Sequence, residues 1–216
     1  MSGLNARPAP GRVGAIRRDE APTVKSLLAS LRTHDAYTYR HSLRTVRLSL
    51  LLGRACGVET AGRLRVLCLG AVVHDLGKIF IPSDVLHKAG ALSAEEWEAV
   101  KRHPLDGARM MRGVAASAGV RRVVAEHHER WDGRGYPAGL IGEEIDFNAR
   151  VVAVADAFDA MTSERPYRPA AGYAEAAAEL ERCAGTQFDP EVVLALLRAP
   201  RARLEGVIRG SRGQSA

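Results

Sequence analysis

Little in this chain is suited to disulfide bridges, membranes or sheets. Its three cysteines, Cys56, Cys68 and Cys183, are an odd set without the spacing of a disulfide frame or a thiolate metal site. They read as reduced, buried thiols of a cytoplasmic protein. No apolar run approaches the roughly 18 residues that cross a bilayer. The best candidate, "VLCLGAVV", stops at His74 and Asp75, so no integral membrane segment is expected. The opening "MSGLNARPAPGRVGAIRR" lacks the apolar centre of a signal peptide. Strand signals are nearly absent, which excludes most sheet architectures.

A surplus of charge is also missing where it would count. The chain carries a formal +6. Residues 1–24 hold a net +2 of this and residues 198–216 a net +4, so the stretch 25–197 sums to zero. A protein that binds a nucleic acid polymer through its folded face would place the excess inside the domain. None is expected here. The basic ends read as solvated tails, through which a regulatory protein partner could attach.

What remains is helical periodicity. Residues 1–22 are a flexible basic leader rich in Gly, Pro and Arg. Residues 23–198 form the domain, and 199–216 a basic C-terminal tail. Leu27, Leu28 and Leu31 make a short apolar stripe, and His41, Thr45, Leu48 and Leu52 follow one face of the next helix. Gly57 stops that helix. A more buried helix spans about 59–76. Ser93 with Glu96 is a capping box. Pro104 suits the first position of a further helix and forces His103 into an extended backbone. Further helices are expected over 113–129, 149–163 and 173–184, the last stopped by Gly185. Asp189 caps a final one with Pro190 in its first turn. The expectation is an all-α bundle with one long Gly-rich loop, about 131–147, able to hold a short hairpin. Loops of such length without regular structure usually serve function.

Within this frame the histidines stand out. His74 and Asp75 close an apolar helix, where an unpaired charge is costly. His41 lies on an apolar-flanked face, His103 precedes a proline, and His127 adjoins His128. Asp156 interrupts "VVAVADAF". Each alone reads as a hydrogen-bonded interior residue. Together, five histidines and two aspartates at helix-facing positions supply ligands for two divalent transition metal ions. Imidazole with carboxylate suits Fe or Mn, and also Co, Ni or Zn. Neighbouring helix residues point about 100° apart, so one ion cannot readily use both His127 and His128, whereas two ions roughly 3.5–4 Å apart can. Asp75 is then the natural bridging carboxylate, with Lys78 one turn from His74 and within reach of a phosphate oxygen.

"HDLGK" (74–78), "HP" (103–104), "HHERWDGRGYP" (127–137), "ADAFDAMTSERPYR" (155–168) and "AGTQFDPEVV" (184–193) resemble, in order and spacing, the HD-GYP subset of the HD metal-dependent phosphohydrolases. "DAYTYRHSLRTV" (35–46) looks like that family's first histidine helix, and the resemblance covers roughly 30 to 197. It implies an HD-type helical bundle that hydrolyses cyclic di-GMP to linear pGpG, or on to GMP, through a metal-bridging hydroxide. It implies metal ligands at His41, His74, Asp75, His103, His127, His128 and Asp156, with Asp75 and Lys78 acting catalytically. It implies substrate contacts at Lys78, Tyr136, Arg165 and Arg168, and a Gly-Tyr-Pro loop open to protein partners. Two departures are visible. Tyr37 occupies the place of a glutamate that can support a third ion, which favours two, and Arg40 replaces a customary glycine. Alternatives are a hydrolase of another cyclic dinucleotide or nucleotide, and a weakly catalytic binding module.

Overall fold

The structure, a computed structural model, describes residues 23–113, 118–164 and 169–209. The regular elements of the described residues are helical: α1 (Val24–His34), α2 (Ala36–Ala55), α3 (Ala61–Val73), a 3-10 turn (Leu76–Phe80), α4 (Ser83–Leu86), α5 (Ala94–Lys101), α6 (His103–Met110), a 3-10 turn (Met111–Gly113), α7 (Ala118–Glu126), a 3-10 turn (Gly142–Glu144), α8 (Phe147–Thr162), α9 (Tyr173–Arg182), α10 (Pro190–Arg198) and α11 (Arg201–Arg209). No strand occurs among them. The hairpin expected in 131–147 reduces to a single bridge between Asp132 and Ile141.

Local sequence explains most boundaries. The Thr23 hydroxyl accepts from Ser26 N to open α1. Asp35 then ends α1 and caps α2, its carboxylate accepting from Tyr37 N and Thr38 N. Gly57 leaves α2 at φ +82°. The Ser93–Glu96 capping box forms as expected, and Asp189 caps α10 through Glu191 N. One expectation is corrected. His103 is the first residue of α6 rather than extended, and Pro104 sits in the first turn, where its missing N–H leaves no helical bond unmade.

α2, α3 and α8 pack against one another around Leu48, Leu52, Leu67, Val151, Val154 and Phe158, all fully buried. A second cluster joins α1, α3 and α7 through Leu31, Val73, Leu76 and Val124. The C-terminal stretch is less free than its charge suggests. Residues 201–209, within the basic tail, form α11, and Leu204 is buried against the main core. Arg201 and Arg203 stay exposed on its other side, so an apolar anchor and a basic surface coexist on one helix. His41 of α2, Asp156 and Asp159 of α8, and the histidines at the ends of α3, α6 and α7 come together between these helices.

Candidate metal centre

α3 ends at Val73 and the chain tightens into the 3-10 turn, so His74 and Asp75 emerge between two helical segments, both buried. The turn lies against α6 backbone to backbone. A Cβ on Gly77 would fall on the His103 carbonyl oxygen and crowd Gly107 N. Only glycine allows this approach, and it sets His103 beside Asp75.

Three histidines are aimed in the same way. Nδ1 of His74 lies 2.7 Å from Ala71 O, Nδ1 of His103 2.7 Å from Val100 O, and Nδ1 of His127 2.8 Å from Val124 O. A carbonyl only accepts, so each Nδ1 carries a proton, and the neutral ring then presents a lone pair at Nε2. These Nε2 atoms face inward. Those of His103 and His127 are 3.3 Å apart, both acceptors when the rings are neutral with Nδ1 protonated. Nε2 of His74 is buried without a hydrogen-bond partner. Unmade bonds of this kind are costly in an interior, and a cation satisfies all three. The donor set therefore fits a metal.

Asp75 stands at the middle. Its Oδ1 is 3.4 Å from His103 Nε2 and 3.9 Å from His127 Nε2. Its Oδ2 is 3.4 Å from His74 Nε2, 3.9 Å from His41 Nε2 and 2.7 Å from Lys78 Nζ. One oxygen thus faces each side. Two donor groups result, Asp75 with His103, His127 and His128, and Asp75 with His41 and His74, the ligand atoms within each lying inside 4.8 Å of one another. Burial opposes ionisation of Asp75, but the Lys78 ammonium beside it holds its carboxyl well below the usual carboxylate range.

The two sides differ in charge. Burial alone would lower the His41 pKa. Its Nε2 instead donates to Asp156 at 2.8 Å and its Nδ1 to Asp159 at 2.6 Å, and these carboxylates raise it to about 9. Loss of that proton would free His41 Nε2 and the Asp156 carboxylate as ligand atoms for an ion. His127 and His128 make no hydrogen bond to a carboxylate, and the nearby charges of Asp75 and, for His128, Asp156 do not offset their burial among other imidazoles. Burial, then repulsion from neighbouring rings, pushes His127 well down and His128 to about 3. Both are neutral, as ligands must be.

The structure brings together His41, His74, Asp75, His103, His127 and His128. It attaches Asp156 to His41 rather than within either donor group. Tyr136, before a cis Pro137, lies with its ring centroid 4.9 Å from that of His128, and Lys78 is on Asp75. Arg165 and Arg168 fall outside the described residues. His127, His128, Asp156 and Tyr136 line a cavity of about 600 Å³.

Three contributors escaped the sequence reading. Asp159, fully buried, accepts from Arg44 Nε at 2.6 Å and from Arg44 Nη2 at 2.9 Å as well as from His41. The signal was present as register, since His41 with Arg44 and Asp156 with Asp159 are both three residues apart on helices. Glu129 is also buried. Its Oε1 accepts from Ala138 N at 2.6 Å, and its Oε2 from Gly139 N at 3.1 Å and Leu140 N at 3.2 Å. It thereby fixes the loop carrying Tyr136. Gly135 completes the turn, because a Cβ there would collide with the backbone of Glu129 and Arg130.

This helical bundle with a histidine–aspartate interior defines a class. The chain belongs to the HD-domain family, whose model matches residues 24–192. It is 40% identical over 179 residues to the cyclic di-GMP phosphodiesterase PA4108 of Pseudomonas aeruginosa, covering 82% of this chain and 43% of that one. It is 36% identical over 163 residues to the 3′3′-cGAMP-specific phosphodiesterase 3 of Vibrio cholerae, covering 76% and 35%. The chain thus spans about half or less of the length of these curated relatives. The fold is shared with the solved structure of the cyclic GMP-AMP-specific phosphodiesterase V-cGAP3 of V. cholerae, with a TM-score of 0.65 at 21% identity, covering 88% of this chain and 51% of that one. Among the described residues no helix is long and apolar enough to cross a membrane.

Proposed function

We propose that the chain is a metal-dependent phosphodiesterase that hydrolyses cyclic di-GMP to linear pGpG. One observation carries the reading: both oxygens of a single buried carboxylate, Asp75, face separate groups of histidine nitrogens, among them the unpartnered Nε2 of His74 and the Nε2 atoms of His103 and His127 turned toward each other. Two divalent transition metal ions held there, Fe or Mn before Co, Ni or Zn, would supply Lewis acidity toward a phosphodiester and a water of pKa near ~7. His41, His74, Asp75, His103, His127, His128 and Asp156 would hold them.

The chain's own groups do the rest. Asp75 is ionised at neutral pH and can accept the proton of the attacking water at a carboxylate oxygen. The Lys78 ammonium, partly exposed beside it, can meet a phosphate oxygen and offset charge gathering at phosphorus. Tyr136 packs on His128 and walls the cavity, limiting water near the reacting bond. Arg165 and Arg168 are proposed to hold the phosphates or guanine edges through planar forks.

The test is anaerobic purification with metal quantification, joined to a chromatographic cleavage assay on cyclic di-GMP with wild type and Asp75→Ala. Two ions per chain, pGpG as product and loss of turnover by about 10²–10⁴-fold in the variant are expected. Turnover of nucleoside triphosphates alone would overturn the proposal. Bound ligand without turnover in a metal-free protein would instead favour a binding module. The Vibrio relative named for 3′3′-cGAMP makes that dinucleotide the second substrate to assay.

A further inference from the structure

α5 carries two side chains that the chemistry above leaves unused. Trp97 is 46% exposed, and α5 buries none of its residues. Lys101 is one helical turn further on, hence on the same face. Both line the cavity shared by His127, His128, Asp156 and Tyr136. The Trp97 ring meets Tyr136 nearly perpendicular, centroids 6.5 Å apart at 75°, and Tyr136 in turn tilts over His128 at 4.9 Å. Three rings therefore run from the histidine cluster outward along one wall. A perpendicular contact covers little of the indole, and its exposure leaves a large apolar surface in water at the cavity's edge. Such a surface gains by being covered by a flat ligand. Lys101 Nζ is paired with Glu98 Oε1 at 2.5 Å, with side chains 30% and 68% exposed. A solvated pair of this kind is readily exchanged for another acceptor.

We propose that Trp97 and Lys101 form a subsite for one guanine base of the substrate, the indole stacking on the purine and the ammonium donating to its O6 and N7. This rests on the reading that the substrate is a cyclic dinucleotide. Lysine offers donors only. The Hoogsteen edge of guanine presents two acceptors, whereas adenine places an amino donor beside N7. Stacking alone accepts any purine, so Lys101 supplies the choice between bases. A cyclic dinucleotide with at least one guanine fills the subsite, and cyclic di-AMP does not.

The test uses the full metal-loaded chain and its variants Trp97→Ala, Trp97→Phe and Lys101→Met, with cyclic di-GMP, 3′3′-cGAMP and cyclic di-AMP as substrates. Trp97→Ala is expected to raise KM for cyclic di-GMP about tenfold with kcat changed by less than about twofold, and Trp97→Phe to restore most of the loss. Lys101→Met is expected to raise KM about tenfold for the two guanine-containing substrates and to leave that for cyclic di-AMP unchanged. Cyclic di-GMP should quench indole emission in wild type and fail to do so in Trp97→Phe, where Trp131 is the remaining tryptophan. Unchanged KM in Trp97→Ala, wild-type base discrimination in Lys101→Met, or equal quenching in Trp97→Phe would each overturn the subsite. If wild type cleaved none of the three compounds, the functional reading would fall, and the quenching titration would still decide whether Trp97 receives a guanine base.

Discussion

The two sides of the histidine cluster share one carboxylate and oppose each other in almost everything else. On one side His41 is clasped by Asp156 and Asp159 and carries a positive charge up to a pH of about 9. On the other, His127 and His128 are hemmed by imidazoles and stay neutral, His128 down to about 3. The residue type is the same, so the neighbours decide the state. The means of support differ as well. His74, His103 and His127 are aimed by carbonyls three residues earlier in their own chain segments. His41 is aimed by Asp159, 118 residues away, in an ion network that exists only once α2 and α8 have packed. One side is oriented by local geometry and the other by tertiary structure.

That contrast is broken most directly at Asp159. In Asp159→Ala the buried Arg44 loses its carboxylate and His41 one of two. Stranding buried cations costs about 3–5 kcal/mol, a fall in Tm of about 10 °C for a domain of this size. His127→Ala removes a neutral ring whose anchor is a backbone carbonyl, and should cost about 1–3 kcal/mol. Calorimetry of both variants in EDTA compares them. Equal losses would show that the Asp159 network bears no more of the fold than a single neutral imidazole does.

The pH dependence of the metal-free protein should show the same asymmetry, one flank per side. The His41 pKa rises from 6.5 to about 9 on folding, so the folded state binds the proton more tightly. Its contribution is complete below pH 6.5 and is lost as pH climbs through 9, amounting to about 3 kcal/mol. His128 moves the other way, from 6.5 to about 3. The unfolded chain then takes up a proton that the folded state refuses, so stability falls as pH drops from 6.5 toward 3. Urea midpoints in EDTA at pH 5, 7 and 10 should peak at the middle value. Asp159→Ala should flatten the alkaline flank and leave the acid one. An unchanged alkaline flank in that variant would mean that Asp159 does not hold the His41 proton.

Glu129 extends the comparison to the loop beside the neutral side. Glu129→Ala removes the acceptor of three backbone N–H groups, and about 2 kcal/mol is expected, part of it recovered by water. Hydrogen exchange should accelerate at Ala138, Gly139 and Leu140 and stay slow in α8. Uniform acceleration would show that the carboxylate stabilises the whole domain rather than the loop.

How far the sequence could be read follows the same division. His74, His103, His127 and Asp75 lie at helix ends marked by a charge after an apolar run, a proline or a doubled histidine, and those marks were legible. The helices with capping residues were legible too, at Ser93 and at Asp189. Asp159 was not, because a carboxylate in "DAFDAM" announces a partner without naming it, and Arg44 reads as one arginine among many. Glu129 was hidden for a similar reason. Its three acceptor bonds go to backbone groups nine to eleven residues onward, which no side-chain pattern records. α11 was masked by composition, since its arginines speak of solvent and only Leu204, with Val207 and Ile208 beside it, carries the packing. The misplaced backbone of His103 reflects a weak local rule set against a specific bond. The steric bias before proline yields to the Nδ1 contact with Val100 O.

The smallest effect is expected at Ser93, and it separates the two sides most cleanly. α5 buries none of its residues, yet its Val100 carbonyl aims His103. The helix is held at its start by the capping box, with Glu96 N donating to Ser93 Oγ at 3.2 Å and Ser93 N to Glu96 Oε2 at 2.6 Å. Ser93→Ala breaks the first of these and should cost about 1 kcal/mol. Most of that cost falls on α5, because little else depends on it. His103 loses restraint, while His41, fixed between α2 and α8, does not. Imidazole proton spectra of the metal-free protein should show exchange broadening at His103 with His41 unmoved. Broadening at both would mean that Asp75 transmits strain across the cluster, and the two sides would then behave as one unit.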